Sequence, residues 1–441
     1  MNGLKGEHFP DELRWLGQLD TLHMHYNAGI TGEFPKGLQY MPNMKSVGLH
    51  YCSLRGRIPS WIGDLTGLTT LALGDNQLEG DVPTSISKLR NLKFLALDDN
   101  SGLTGNMNLF KTMTQLETLY LEGNTLEGNI DGMLEAMPKL VEFDISDNML
   151  DGLIPTVLMN HKKLAVVDMH DNFLGGAFPN DIFKNTNLQF LALHHNHITG
   201  TIPDRIGFLE NMKHLDLSFN LLTGTIPDDL GSLIELRYLQ TSGNNFTAHT
   251  LQDIDFSKLS NLHELAMKDN NLKGTIPDWI GEFSNLQLLD LDANQLTGAI
   301  PSWIGVLQGL DHLLLNRNKL TGTLPSQLGA LKDLDVLLLD GNSFSGNADV
   351  VCSQVKPTFF ISDCYPGQNG EPPELRCLCC TTCCTDNDES CNDKKWTSNV
   401  DPVWEYGYVR PSYHFSLENA PSIYAKDSGD DENDIIADQI P

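Results

Sequence analysis

The sequence predicts an α/β repeat solenoid, with a parallel β-sheet along one side and irregular or 3-10 segments along the other. Three observations predict this fold class. The frame LxxLxLxxNxLxGxIPxxLGxL recurs with a period of 24 residues, the alternating leucines of LxxLxLxx are typical of a short strand, and the IP step forces an extended segment. Because each copy is one stacked unit, we expect successive copies to bury one continuous core.

One asparagine marks each repeat and fixes its register. The positions are Asn27, Cys52, Asn76, Asn100, Asn124, Asn148, Asn172, Asn196, Asn220, Asn244, Asn270, Asn294, Asn318 and Asn342. Every step is 24 residues, except 25 into Cys52 and 26 between Asn244 and Asn270. The amide has both donors and an acceptor, so we expect a ladder that binds the backbone inside the coil. Cys52 takes one ladder place, where we expect a small buried thiol.

The LxGxIPxxLG half of this frame resembles the plant-type leucine-rich repeat over residues 2 to about 348. The resemblance implies a right-handed, curved leucine-rich repeat array over 1–350, of about 14 repeats, with its parallel sheet on the concave side. The array starts in mid-repeat, so we expect the native protein to extend upstream. The family implies extracellular or cell-surface recognition of a peptide, protein or glycan. The terminal CxCCxxCC is similar to that of diatom leucine-rich repeat proteins, in which an upstream membrane segment can anchor the array.

Charge and missing motifs narrow the function. The net charge is −29, and such a surface repels nucleic acid and favours a basic or polar partner. No apolar run approaches the ~20 residues of a membrane helix. The sequence has no GxSxG, HExxH or kinase motifs, so we expect neither an enzyme nor a cofactor. The alternative to a recognition module is a structural or adhesive cell-wall or cell-surface protein with no defined small ligand.

A cysteine-rich segment follows the last repeat. Its members are Cys352, Cys364, Cys377, Cys379, Cys380, Cys383, Cys384 and Cys391. An even number at the end of a repeat array predicts a small disulfide-rich cap over 351–392, with neighbouring cysteines bonded to different partners. A zinc site at the CxxC of Cys380 and Cys383, or redox activity, is the alternative. Beyond the cap we expect an aromatic-rich irregular segment over 393–426 and a disordered acidic tail over 427–441.

Function in this fold is expected on the outward positions of the concave strands, six, four, two and one residues before each ladder position. The candidate ligand-binding residues are Phe94, Tyr120, Glu142, Asp144, Asp168, His170, Phe190, His194, His195, His214, Asp216, Phe219 and Tyr238. Their carboxylates favour a cationic group, and outward aromatic rings are typical of contact sites. The alternative is a solvated acidic face.

A possible metal site on this surface and one irregular repeat are two further features of the sequence. Neighbouring strands carry four residues that could bind zinc or manganese: Asp144, Asp168, His170 and His194. Because a repeated sequence creates such neighbours by chance, we expect no metal. The stretch 244–262 lacks GxIP and is two residues longer, which predicts a bulge with a helical turn. It carries a glycosylation sequon at Asn245.

Overall fold

A computed structural model of the chain describes residues 6, 9, 11–180, 185–246, 250–364 and 375–384. These residues belong to one compact unit, Met1–Lys394. The predicted aromatic segment and acidic tail lie outside the described residues, as do Cys391 and most of the first ten positions. Within the described part of the chain, no helix is long and apolar enough to cross a membrane.

The LxxLxLxx segments form one parallel sheet in chain order, here called the concave sheet. Its strands among the described residues are Thr21–His23, Ser46–Gly48, Thr70–Ala72, Phe94–Ala96, Thr118–Tyr120, Glu142–Asp144, Val166–Asp168, Phe190–Ala192, His214–Asp216, Tyr238–Gln240, Glu264–Ala266, Leu288–Asp290, His312–Leu314, Val336–Leu338, Phe359–Ser362 and Thr382–Cys383. Equivalent repeat positions pair in register, as Asp144 pairs with Asp168. The last two strands lie past the final repeat, so the sheet continues into the cysteine-rich segment.

A second set of parallel strands follows the ladder positions and was not predicted. These strands are Gly32–Glu33, Leu54–Gly56, Gln77–Asp81, Gly102–Asn106, Thr125–Asn129, Met149–Asp151, Gly175–Ala177, His197–Gly200, Leu221–Gly224, Asn245–Phe246, Lys273–Gly274, Gln295–Gly298, Lys319–Thr323, Ser343–Asn347 and Leu375–Arg376. They form sheets of six, four and five strands on the flank of the array. The breaks fall at Gly175 and near the longer repeat.

Short 3-10 helices form the side opposite the concave sheet, as predicted. They span Asp11–Trp15, Lys36–Tyr40, Ser60–Asp64, Thr84–Lys88, Met107–Phe110, Thr156–Asn160, Asp204–Phe208, Asp228–Ser232, Leu251–Asp253, Asp278–Glu282, Ser302–Val306 and Ser326–Ala330. Two short α-helices, Met133–Ala136 and Asp349–Gln354, take the same place in their repeats. In most of them the proline of the IP step precedes the first helical residue, because its fixed φ and missing amide hydrogen suit a helix start.

The asparagine ladder has the predicted hydrogen bonds. The Nδ2 of Asn172 donates to the carbonyl oxygens of Ile145 and His170 at 3.0 and 2.9 Å, and its Oδ1 accepts from the Leu150 amide at 3.0 Å. Cys52 is buried and free, and its thiol donates to the Met24 carbonyl at 3.0 Å. Each ladder asparagine forms hydrogen bonds with buried backbone groups of two repeats, which water cannot reach. The ladder therefore contributes to stability along the array.

The longer repeat keeps its core although it lacks GxIP. Thr250 caps the 3-10 helix Leu251–Asp253 in a capping box with Asp253, which confirms the predicted helical turn. Leu251 and Phe256 are fully buried in the continuous core. Asn245 is exposed, and its Oδ1 accepts from Asn271 at 3.0 Å; the threonine of the sequon lies outside the described residues.

Disulfides hold the cysteine-rich segment, as predicted. The bridges join Cys352 to Cys379, Cys364 to Cys383 and Cys377 to Cys380, and Cys384 is also disulfide-bonded. Neighbouring cysteines therefore bond to different partners. The CxxC pair Cys380 and Cys383 belongs to two different bridges, so its thiols are not available as zinc ligands. The bridges tie the last two strands of the concave sheet to the helix after the final repeat.

Candidate functional site on the concave sheet

The residue just before each ladder position adopts a left-handed conformation, a feature that the sequence analysis missed. Its φ is 45° at Asp99, 49° at Asp147 and 46° at Asp171, and it is also positive at bulkier residues such as His195 and Phe219. Asp tolerates this conformation better than most residues. Some of the acidic residues on the concave side are therefore explained by backbone geometry alone.

An acidic patch, which we define as Asp75, Asp98, Asp99, Glu122 and Asp144, occupies four neighbouring repeats. Carboxylate oxygens of Asp75, Asp98 and Asp99 lie within 4.8 Å of one another. Burial and the nearby Asp144 and Asp98 raise the pKa of Glu122 well above its usual value. Among the described residues, Oε2 of Glu122 has no hydrogen-bond partner. The patch therefore concentrates negative charge that a cationic ligand would stabilise.

Two histidines follow the acidic patch, and Nδ1 of each lies beside a buried carboxylate. The contact of His170 is a hydrogen bond, whereas that of His194 is close but not aligned as one. Nδ1 of His170 lies 2.5 Å from Oδ1 of Asp168, and Nδ1 of His194 lies 3.0 Å from Oδ2 of Asp216. The two rings stack with centroids 4.2 Å apart. Burial disfavours protonation of His170, but Asp168 and then Asp147 outweigh it and raise its pKa. Burial alone would raise the pKa of Asp216, yet His194 lowers it below the usual range.

Several predicted contact residues are on the concave side but buried. Phe94 and Phe190 are 3% and 5% exposed, and the Phe190 ring stacks on His214 with centroids 4.4 Å apart. Burial lowers the pKa of His214 to about 4. The expectation that the outward Phe190 ring is exposed for ligand contact is therefore wrong, because outward side chains at paired positions of neighbouring strands pack against one another along the sheet.

Tyr120 and Glu142 form a second buried pair. The Tyr120 hydroxyl donates to Oε2 of Glu142, and burial raises the pKa of that carboxyl to about 7 although the hydrogen bond opposes it. Asp144 and Asp168 are also buried, at 3% and 0% exposed. Burial and then Asp168 raise the pKa of Asp144 well above its usual value. The side chains of Glu142, Asp144 and Asp168 therefore influence the electrostatic potential of the concave surface although they lie beneath it.

Three rings are accessible in the next repeats. The Phe219 ring stacks on His195 with centroids 4.4 Å apart, and Lys268 Nζ lies 5.5 Å from the Phe219 centroid. Phe219 and Tyr238 are half-buried, with part of each side chain open on the concave side. We call His195 and Phe219 the aromatic pair. The structure thus brings the thirteen predicted candidates onto one continuous surface but exposes only some of them.

Two ionisable groups on this sheet were not predicted from the sequence. Glu264 is 1% exposed, and burial raises its pKa to about 8 although Gln240 donates to it at 3.1 Å. Farther along, the Arg317 guanidinium forms a two-nitrogen ion pair with the buried carboxylate of Asp292. Glu264 and Arg317 occupy outward positions of the repeat frame, so the repeat register could have predicted that they lie on the concave side.

The comparisons with known proteins agree with this geometry. Residues 42–101 and 186–246 match one leucine-rich repeat family model, and residues 261–283 and 285–307 match another. No curated protein sequence matches the chain.

Three solved structures are similar across most of the array. The plant peptide hormone receptor RGFR1, in complex with RGF2, is 28% identical with a TM-score of 0.68, and the match covers 79% of this chain and 63% of that one. The Arabidopsis receptor kinase HAESA, in complex with the peptide hormone IDA and the co-receptor SERK1, is 29% identical with a TM-score of 0.71, covering 80% and 60%. A leucine-rich repeat protein of Leptospira interrogans is 28% identical with a TM-score of 0.60, covering 78% and 89%.

The chain thus spans less than two-thirds of the length of the two plant receptor chains. The family matches, the asparagine ladder and the stacked parallel sheets show that the chain contains leucine-rich repeats, and that its array is similar in structure to those of plant receptors.

Proposed function

We propose that this array is an extracellular recognition module that binds a basic peptide segment on the concave sheet. The acidic patch supplies the charge complementarity, and the aromatic pair supplies apolar contact. The observation that carries the proposal is the half-buried Glu122, whose inaccessible Oε2 has no hydrogen-bond partner among the described residues and whose pKa is raised by burial and by Asp144. A ligand cation beside the exposed Asp99 would offset the repulsion between Glu122 and its acidic neighbours.

Two further observations support this proposal. The similar plant receptors are described in complexes with peptide hormones, and their arrays have the same stacked architecture. The disulfides are typical of proteins in oxidising compartments, which agrees with an extracellular or cell-surface location. Whether the native partner is a free peptide or a segment of a protein or glycoprotein, the same surface would contact its cationic groups.

Selection from a random peptide library on the immobilised protein tests the proposal. We expect the enriched peptides to be basic, and their affinity to fall with rising salt because charge attraction is screened. The double variant Asp75→Asn with Asp99→Asn should weaken their binding at least about tenfold, by about 1.4 kcal/mol. Both residues are exposed and left-handed, and Asn accepts that conformation, so the variant should fold normally.

The matched control removes two charges from the opposite side. Asp204 and Asp228 are exposed at the starts of two 3-10 helices, and Asp204→Asn with Asp228→Asn should bind the peptides like the wild type. Equal losses in both double variants would show that only the net charge matters. A selection that enriches no basic peptide would contradict the proposal.

One observation favours the structural alternative. Exposed apolar side chains directly follow three ladder asparagines on the flank: Met149, Phe173 and Leu221, with 54%, 55% and 54% of their surface exposed. His197 takes the equivalent position between the last two and stacks on Phe173. Such side chains suit lateral association of copies. If the array is a recognition module, light scattering should show a monomer. If it is a structural protein, light scattering should show an oligomer that the Phe173→Ser substitution weakens.

A further inference from the structure

The ring nitrogens of His170 and His194 are arranged as in metal-binding histidines. In each ring Nδ1 faces a buried carboxylate, Asp168 for His170 and Asp216 for His194. Each carboxylate is itself held by a backbone amide two residues ahead, at 3.2 Å for Asp168 and 2.9 Å for Asp216. A carboxylate on one nitrogen fixes the ring and its tautomer and makes the other nitrogen a better metal ligand.

The second nitrogen of His170 faces exposed carboxylates. Its Nε2 lies 3.5 Å from Oδ2 of Asp147 and 3.9 Å from Oδ2 of Asp171. One donor atom from each of His170, Asp171 and His194 lies within 4.8 Å of the other two. The rings are 11% exposed, so the donors reach the edge of the concave surface while the supporting carboxylates stay beneath. Two imidazoles and one carboxylate are the ligand types that zinc and similar ions prefer.

The same protein contains a stacked histidine pair without these features. His25 and His50 occupy the equivalent repeat positions, and their rings stack with centroids 4.9 Å apart. In their repeats the position of Asp168 is taken by His23 and Gly48, and the position of Asp171 by a tyrosine. Repetition therefore produces stacked histidines by itself, but the carboxylates beneath and beside the rings are specific to the pair at 170 and 194.

We propose that His170, His194 and Asp171 bind one divalent transition-metal ion of the zinc class at the edge of the concave surface. Asp168 and Asp216 orient the imidazoles, and Asp147 supplies a nearby carboxylate. Three protein donors leave at least one coordination position of a tetrahedral ion open to water or to a donor group of a ligand in the groove. This set of ligands differs from the four residues that the sequence suggested, because Asp144 and Asp168 lie beneath the metal site and do not belong to it.

Calorimetric titration of the chelator-treated, disulfide-intact protein with Zn²⁺ tests the proposal. We expect one Zn²⁺ per chain, no comparable binding of Mg²⁺ or Ca²⁺, and a Co²⁺ absorption spectrum typical of nitrogen and oxygen ligands. His194→Gln and Asp171→Asn should each weaken Zn²⁺ binding at least about tenfold, since even supporting residues contribute about 10- to 100-fold. Thermal unfolding of the metal-free variants verifies that they fold.

Asp269→Asn is the matched control, because Asp269 has the same repeat position, exposure and left-handed φ as Asp171 and lies outside the acidic patch. It should leave Zn²⁺ affinity unchanged. Absence of saturable binding would overturn the proposal, as would equal affinity in the wild type and the His194→Gln variant. A loss in Asp99→Asn but not in Asp171→Asn would assign the ion to the carboxylates of the acidic patch and also overturn it.

Discussion

Phe219 stacks on His195 with an interplanar angle of 12°, although both residues have the left-handed backbone that bulky side chains avoid. The Phe219 ring also lies over Gly243, where an added Cβ would come within 2.5 Å of the ring. Residues held in rarely populated conformations are frequent at binding surfaces. At this pair the backbone turn that recurs before every ladder residue therefore outweighs the local preference of two bulky side chains.

Ala293 precedes a ladder residue and has the left-handed backbone of that position, with a φ of 50°. We therefore expect a glycine there to stabilise the fold. Ala293→Gly should raise the free energy of unfolding by about 1 kcal/mol, because glycine lacks the Cβ that makes this conformation costly. Ala266, in the strand Glu264–Ala266, is the control. Ala266→Gly should lower stability by about 0.5–1 kcal/mol. Urea unfolding of both variants measures the signs, and stabilisation at neither site would refute the conformational explanation.

Asn172→Ala should lower the free energy of unfolding by roughly 1–3 kcal/mol, since it removes the hydrogen bonds that the Asn172 side chain makes with the buried backbone groups of Ile145 and Leu150. Denaturant unfolding followed by circular dichroism measures the loss. The exposed Asn187, whose side chain donates to the Lys162 carbonyl, provides the comparison. If Asn187→Ala costs as much as Asn172→Ala, the ladder does not have the special role assigned to it.

Glu264 predicts a pH dependence of stability. Burial raises its folded-state pKa from 4.5 to about 8, so folding favours the protonated carboxyl. The resulting stabilisation is fully present below the unfolded pKa near 4.5 and is lost as pH rises through about 8. Glu264→Gln, which keeps a polar side chain beside Gln240, should gain stability over the wild type by a few kcal/mol between these pH values.

Thermal unfolding of wild type and Glu264→Gln across this pH range gives the difference. The exposed Glu282 provides the control, and Glu282→Gln should follow the wild-type curve. A wild-type protein that loses no stability relative to Glu264→Gln as pH rises would show that this carboxylate is stabilised by a partner when ionised.

Cys52 should resist alkylation in the folded protein. Its side chain is buried and free, burial raises the pKa of the thiol, and only the thiolate reacts rapidly. Without reductant, N-ethylmaleimide followed by mass spectrometry should label no described cysteine of the cap, and should label Cys52 only after denaturation. Rapid labelling of Cys377 or Cys380 in the native protein would contradict the bridge that joins them.

The sequence predicted the parts of the fold that depend on period. Asn172 and Cys52 could be placed in the ladder because the 24-residue spacing brings equivalent positions together in every turn. The flanking strands, such as Leu221–Gly224, could not be anticipated, because their short extended segments have no alternating apolar pattern of their own. Their pairing arises only when neighbouring repeats stack.

The candidate site was predictable in location but less so in detail. The register placed Phe190 and Asp168 correctly on the concave side, but it could not show that both are buried by neighbours from adjacent repeats. The left-handed backbone at Asp171 and the pairing of His194 with Asp216 depend on how strand ends turn and on side-chain rotamers. Such features follow from packing between repeats, which one sequence does not display.

A site-specific photo-crosslink can show whether a basic peptide binds the concave sheet beside Phe219. Benzoyl-phenylalanine replaces Phe219 in one protein and Phe208 in another; Phe208 is 56% exposed at the end of the 3-10 helix Asp204–Phe208 on the opposite side. With a selected basic peptide, we predict a crosslinked product from position 219 that excess unlabelled peptide abolishes, and none from position 208. A competable crosslink at 208 without one at 219 would contradict the account.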